Sequence, residues 1–295
     1  MAAGLGSNKN MDTTTNASFI PAIWGSKLND FFRANLKCAS FFEDLSDELS
    51  DGGNIIYIPN ISQMTAASKR EGSQVTLNKQ TAARITLTIN THYEVSFLLE
   101  DYCAALMKKS YRMQEKWMKN AAYTVAATLE DALIALFNGF SQTVGTSAVP
   151  LRDSIVRQAI AYLDVANVPS EDRAFFLHPN VVWNQLMGIN KFTLVTNTGG
   201  ADPVLKGAVG TLYGIPVIVT SRLGVTSGHR NGALAHKDAL NFAVARTDGG
   251  MQSDKVRLQT QYLQDYLGNL VTADVIFGVI ENRDTSGVWI KAKSS

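Results

Sequence analysis

The sequence is poor in the residues on which catalysis and metal binding usually rest. It has two cysteines, Cys38 and Cys103, in 295 residues. They form no CxxC and have no histidine beside them, which argues against zinc. Both are expected to be small buried hydrophobes in a reducing compartment. The four histidines, His92, His178, His229 and His236, are scattered, and none sits at a metal-ligand spacing. His178 precedes Pro179 at a strand-to-helix junction and reads as a cap. His236-Lys237-Asp238 reads as a solvated helix start. There is no Walker A, GxGxxG, HExxH or GxSxG motif. The acidic pairs Glu43-Asp44, Glu100-Asp101 and Glu130-Asp131 are adjacent, so on a helix they point apart and do not make a hydrolase's facing carboxylates. No cofactor or metal is called for, and a non-enzyme is expected. The net charge of +1 gives neither a strongly basic nucleic-acid grip nor an acidic tail. A protein that surrounds nucleic acid without gripping it fits this balance. No run approaches the ~18 apolar residues of a membrane span. Met1 to Asn16 has neither a basic start nor an apolar h-region. A soluble intracellular product without a membrane partner is expected.

What the sequence does have is a long run free of glycine and proline, Phe97 to Asn138. It reads as one helix of roughly 60 Å at 1.5 Å per residue. Leu99, Cys103, Leu106, Met113, Trp117, Ala121, Val125, Leu129, Leu133 and Leu136 mark its apolar face. Lys108, Lys109, Arg112, Lys116 and Lys119 put a basic stripe on the other side of its first half. That stripe reads as a solvated or intersubunit face. The second half is apolar nearly all round, which argues against a coiled coil. Gly139 stands where a C-cap glycine would. So long a helix needs a neighbour along its length, and a second subunit would supply one.

Residues 1–18 are small and polar. Ser26 could cap a helix through Lys37, and Trp24, Phe31, Phe32, Phe41 and Phe42 need a surface to lie on. Asp51-Gly52-Gly53 is a turn. Asn54 to Ile58 reads as a strand that Pro59 ends or places at an edge. Arg84 to Asn90 alternates as a second strand, so two strands flank a polar tip with Lys69, Arg70, Glu71 and Gly72 at its centre. A two-stranded arm is marginal alone in water and should lie across something. From Val149 the pattern becomes α/β. A helix begins at Asp153 or Ser154, Arg173–Leu177 is a buried strand, Tyr213–Val219 is another, and Leu240–Ala245 lies in a third region. The stretch from Val256 onward is strand-like.

This order of parts resembles the major capsid proteins of tailed bacteriophages, whose shell fold is shared with herpesvirus capsid floors and encapsulins. The phrases that carry the resemblance are Ile23-Trp24 … Phe41 … Asp51-Gly52-Gly53-Asn54-Ile55 … Ile58-Pro59, then Leu87-Thr88-Ile89 … Tyr93 … Val95 … Phe97 … Asp101. Val168-Pro169 … Asp172-Arg173 … Leu177-His178-Pro179 and Gly210-Thr211-Leu212-Tyr213-Gly214-Ile215-Pro216-Val217 follow. Each is weakly specific, and their order carries the weight. The resemblance implies an α+β fold in five parts. These are an N-terminal arm (1–50), an extended β-hairpin loop (51–96), a spine helix with a peripheral domain (97–149), an axial α/β domain (150–250) and returning peripheral strands (251–295). It implies pentamers and hexamers of one chain closing into an icosahedral shell around double-stranded DNA in a virion assembled in the host cytoplasm. Scaffolding, portal and decoration proteins are possible partners. Trp24, Phe31 and Phe32 in the arm and Lys69, Arg70 and Glu71 at the loop tip are its candidate assembly residues. Two rivals stand beside it: an encapsulin-like nanocompartment holding protein cargo, and an α/β enzyme binding a small molecule within 150–250.

Overall fold

The structure, a computed structural model, describes residues 37–49, 52–61, 64–77, 79, 82–106, 113–186, 188–189, 210–245, 251–253 and 256–294. Trp24, Phe31, Phe32, the helix expected from Ser26, and Lys108, Lys109 and Arg112 lie outside the described residues.

In chain order the strands and helices begin with β1 (Glu43–Asp44), β2 (Ile55–Ile61), β3 (Ala82–Thr88), β4 (Thr91–Glu100), α1 (Asp101–Leu106) and α2 (Met113–Leu136). Next come β5 (Thr143–Gly145), α3 (Asp153–Val165), β6 (Arg173–Leu177), β7 (Thr211–Leu212), β8 (Ile215–Val219), β9 (Val225–Thr226) and β10 (His229–His236). The chain then forms β11 (Leu240–Val244), β12 (Met251–Ser253), β13 (Val256–Leu263), β14 (Gly268–Glu281) and β15 (Gly287–Lys293). The described strands form a two-stranded ribbon, a six-stranded sheet and a seven-stranded sheet.

The six-stranded sheet is organised by β14. Its residues 268–277 pair antiparallel with β4, while 268–274 pair with β13 and 277–281 with β11. This pairing corrects the expected helix start. Phe97 to Glu100 lie opposite Val271 to Gly268 as strand, and helix begins only at Asp101. Phe97-Leu98-Leu99 suits a strand as well as a helix, and an available partner strand decides between them. The second helical stretch, α2, is about 36 Å long at 1.5 Å per residue. Its Ala121, Val125, Leu129 and Leu133 are buried, and Glu130 and Ile134 are buried as well. The second half is therefore enclosed nearly all round, as expected. Cys103 and Leu106, assigned to the same apolar face, are exposed. Only Cys38 is a buried cysteine.

The seven-stranded sheet runs β5-β15-β10-β6-β8-β7, with β9 beside β10. In β6 every residue is buried. Phe175 and Leu177 face α3, with its Ile155, Val156, Ala159 and Leu163, while Ala174 and Phe176 face the core that contains α2. Two covered faces explain the unbroken apolar run Ala174–Leu177. Tyr213-Gly214, expected within a strand, is the turn between β7 and β8. Both residues have positive φ, 53° and 81°, as a two-residue hairpin turn demands.

Sheet membership cuts across linear blocks of sequence. Leu240–Val244 leaves the α/β stretch and joins the six-stranded sheet. Gly287–Lys293 leaves the C-terminal strands and joins the seven-stranded one, next to β10, with β5 on its other edge. The core between the sheets is closed by an aromatic group. Phe42 stacks on Phe176 at 5.3 Å, and Phe137 lies 5.3 Å from Phe176.

Candidate assembly surfaces

The ribbon β2–β3 is half in the body and half out of it. Its register sets Ile56 opposite Leu87 and Ile58 opposite Ile85. Ile56 and Leu87 bury against Leu49, Ile89 and Ala243. The chain leaving β3 presses onto Gly278, where a Cβ would lie 2.3 Å from the Thr88 carbonyl oxygen. The ribbon's root is therefore fixed by packing. Pro59 sits within β2 opposite Arg84, which a ribbon with no further strand tolerates.

The other face and the tip are uncovered. Tyr57 is 52 % exposed, Ile61 78 % and Leu77 89 %; Ile55, Met64 and Val75 are exposed too. Arg84 stacks over the Tyr57 ring at 4.1 Å. At the tip Ser73 N donates to Arg70 O at 3.2 Å, closing a turn around Glu71 and Gly72. Gly72 takes φ 76°, the third-position conformation that favours glycine in such a turn. Lys69, Arg70 and Glu71, the expected tip residues, are exposed. The apolar residues around them went unnoticed at the sequence level. Val75 and Leu77, alternating inside a polar stretch, were the signal that could have found them.

A second surface lies along the first half of α2. A groove of about 400 Å³ runs between α2 and β13, lined by Met118, Ala122, Tyr123, Ala126, Val256 and Leu258. Lys119 and Glu115 pair across one helical turn at 2.8 Å on its rim, a solvated i,i+4 pair.

The start of the described chain is bound to α2 by Glu130. Its buried carboxylate accepts the backbone N–H groups of Lys37, Cys38 and Ala39 at 2.8–3.2 Å. Three amides converging on one anion form a nest. Burial, then the neighbouring Glu130 charge, pushes the Cys38 thiol well above its ordinary range, so it stays protonated. Beside this, Arg222 Nε donates to Asp131 Oδ1 at 2.7 Å and ties α2 to the loop after β8.

Two of the four histidines hold turns. His178 Nδ1 accepts from Asn180 N at 3.0 Å, and His236 Nδ1 from Asp238 N at 3.2 Å. His236 caps a helical turn as expected, but its ring is buried rather than solvated. Among the described residues no three His, Cys, Asp or Glu side chains cluster to hold a metal. No described helix is long and apolar enough to cross a membrane.

No family model matches the sequence, and no curated protein matches it. Solved structures do match. One from Mycobacterium phage Che8 superposes with a TM-score of 0.77 at 17 % identity, covering 92 % of this chain and 97 % of that one. The capsid structure of the cyanophage P-SCSP1u gives 0.75 at 15 %, covering 99 % and 98 %. The chain has the phage capsid fold. The same fold extends to the holo-SrpI encapsulin complex of Synechococcus elongatus PCC 7942, with a TM-score of 0.60 at 9 % identity and 96 % of each chain covered. At these identities the likeness speaks to fold, and it spans nearly the whole of each chain.

Proposed function

We propose that this protein is a major capsid protein: copies of one chain assemble through pentamers and hexamers into an icosahedral shell around double-stranded DNA. The observation that carries this reading is the ribbon. It is rooted in the body by packed apolar residues, and it extends Ile61, Met64, Val75 and Leu77 into solvent. Exposed apolar side chains on a long extension of an otherwise well-packed chain mark a protein interface. On a capsid fold the natural partner is a second copy. Specific interfaces bury about 800 Å² per partner, which an extended arm reaches without a large monomer core. In this reading residues 1–50 are the arm, the ribbon is the extended loop and α1–α2 the spine. The seven-stranded sheet with α3 is the axial domain and the six-stranded sheet the peripheral one. The role is structural. The shell is the virion's, built in the host cytoplasm. The near-zero net charge suits a wall that contacts DNA without sequence preference. Scaffolding, portal and decoration proteins are partners of the same assembly.

The encapsulin likeness favours a second reading, a shell around protein cargo. One experiment separates them. Negative-stain microscopy and size-exclusion chromatography of the intact chain should show closed shells or capsomer rings. A chain lacking residues 64–77 should stay folded and fail to close. A discrete small oligomer from the intact chain, unmoved by salt or crowding agent, would remove the shell reading. Nuclease-resistant DNA inside native shells supports the capsid; packaged protein alone supports the nanocompartment.

A further inference from the structure

Among the described residues the chain passes between the two sheets three times, and the three passages meet. Phe137 to Gln142 leads from α2 to β5, Lys237–Ala239 from β10 to β11, and Asn282 to Ser286 from β14 to β15. They are bonded to one another. Ala239 O accepts from Asn282 N at 2.9 Å and Arg283 N at 3.2 Å, and Asn282 Nδ2 donates to Asp238 O at 3.2 Å. Gln142 O accepts from Trp289 N at 2.8 Å. The Phe140 ring occupies the space where a Cβ on Gly287 would be. Any motion of one sheet against the other must work through this junction.

Two carboxyl groups sit in it. Glu281 ends β14, and Asp284 lies on the passage to β15, which sets their carboxyl groups within reach of each other beside Gly139 and Ser141. Ser141 N donates to Asp284 Oδ1 at 2.7 Å, and the Ser141 hydroxyl donates to Asp284 Oδ2. Gly139 gives Glu281 its room: a Cβ there would stand 2.8 Å from Glu281 Oε2. Gly139 has no positive φ, so it is not the left-handed C-cap the sequence suggested. Among the described residues no lysine or arginine pairs with either carboxyl. The charged or titratable groups on the packed turns are His236, Lys237 and Asp238 on one and Arg283 on the other.

We propose that Glu281 and Asp284 form a proton-dependent clasp that sets how tightly the two sheets are held together. Two carboxyls sharing one proton attract through an O–H···O⁻ bond, and two carboxylates repel. Burial, then the hydrogen bond to Asp284 and its charge, pushes Glu281 up to about 7. Burial would raise Asp284 as well, but the two Ser141 donors together with Glu281 outweigh it and hold that carboxyl low. Glu281 thus carries the proton and Asp284 accepts it. Its folded affinity for the proton exceeds the unfolded one, so the clasp is complete below the ordinary glutamate range. It weakens as pH rises and is gone above about 7. The inference concerns the body of one subunit and stands whether or not the chain builds a shell.

Hydrogen exchange of the full chain, corrected for the intrinsic pH dependence of amide exchange, tests it. Protection over 137–142, 237–241 and 281–288 should fall about tenfold between pH 6 and pH 8 if opening frees Glu281 to solvent. Glu281→Gln keeps an N–H donor toward Asp284 and should show no such fall. Asp284→Asn removes the repulsion but leaves burial to raise Glu281, so it should make the fall clearly smaller, which keeps the test decisive if the first variant folds poorly. Wild-type protection that ignores pH would overturn the clasp. So would a fall that is undiminished in either folded variant.

Discussion

Strands β2 and β14 carry similar side chains and meet opposite fates. Along one face of β14, Val271, Ala273, Val275 and Phe277 are all buried, the last three in the core that contains α2. Along one face of β2, Ile55, Tyr57 and Ile61 are exposed. The alternation is the same. The difference is what stands opposite: β14 has strands on both edges and a helix above, while β2 has only β3. Two strands cannot close a core of their own. Among the described residues the body is thus finished, while the outer face of the ribbon finds no cover. The division predicts which substitutions act on stability and which on association.

The largest effect should come from Leu133→Asp. That residue is fully buried in α2, and an unpaired carboxylate there costs about 4 kcal/mol or more, enough to abolish folding. Circular dichroism showing wild-type melting would remove the body as the stable unit. Glu130→Ala should cost about 2–3 kcal/mol in urea denaturation, because the amides of Lys37, Cys38 and Ala39 lose their shared acceptor. An unchanged midpoint would mean that the nest contributes nothing to the folded chain.

Asp274→Asn comes next, at about 1–2 kcal/mol near neutral pH. Arg257 binds this buried carboxylate at 2.7 and 2.9 Å and His92 at 3.1 Å. The Arg257 hydrogen bonds, against the effect of burial and with help from His92, hold it below the ordinary aspartate range. Its contribution is therefore present above that range and lost as pH falls through the lower folded value. Melting temperatures of wild type and variant should converge below about pH 4. Parallel curves would assign the acid loss to other groups. The smallest effect on folding belongs to Leu77→Ser at the ribbon tip, within about 0.5 kcal/mol. If the ribbon joins subunits, the same change should slow or prevent shell closure, read by light scattering. Normal closure would show that Leu77 lies outside the interface.

Much of this was legible beforehand. The buried strand Arg173–Leu177, the paired strands around a polar tip and the enclosed second half of α2 follow from periods of two and about four residues. The helix start was not, because Phe97-Leu98-Leu99 fits either period and only the pairing with Leu270 and Val271 settles it. Gly139 ends the helical stretch without the left-handed φ of a glycine C-cap, a backbone detail that its position in the sequence does not show. The Glu130 nest joins residues 91 to 93 positions apart, and the acceptor's neighbours in sequence say nothing of the amides it will hold.

By itself the sequence determined most of the strand and helix segments and most of their apolar faces, since these are set by local steric preference and side-chain period. The tertiary structure alone decided that β11 and β15 exchange sheets, that three passages meet beside one carboxyl pair, and that the described residues leave the ribbon's apolar face open. Those outcomes depend on which distant segments compete for the same edge or the same space, and no spacing along the chain records that competition.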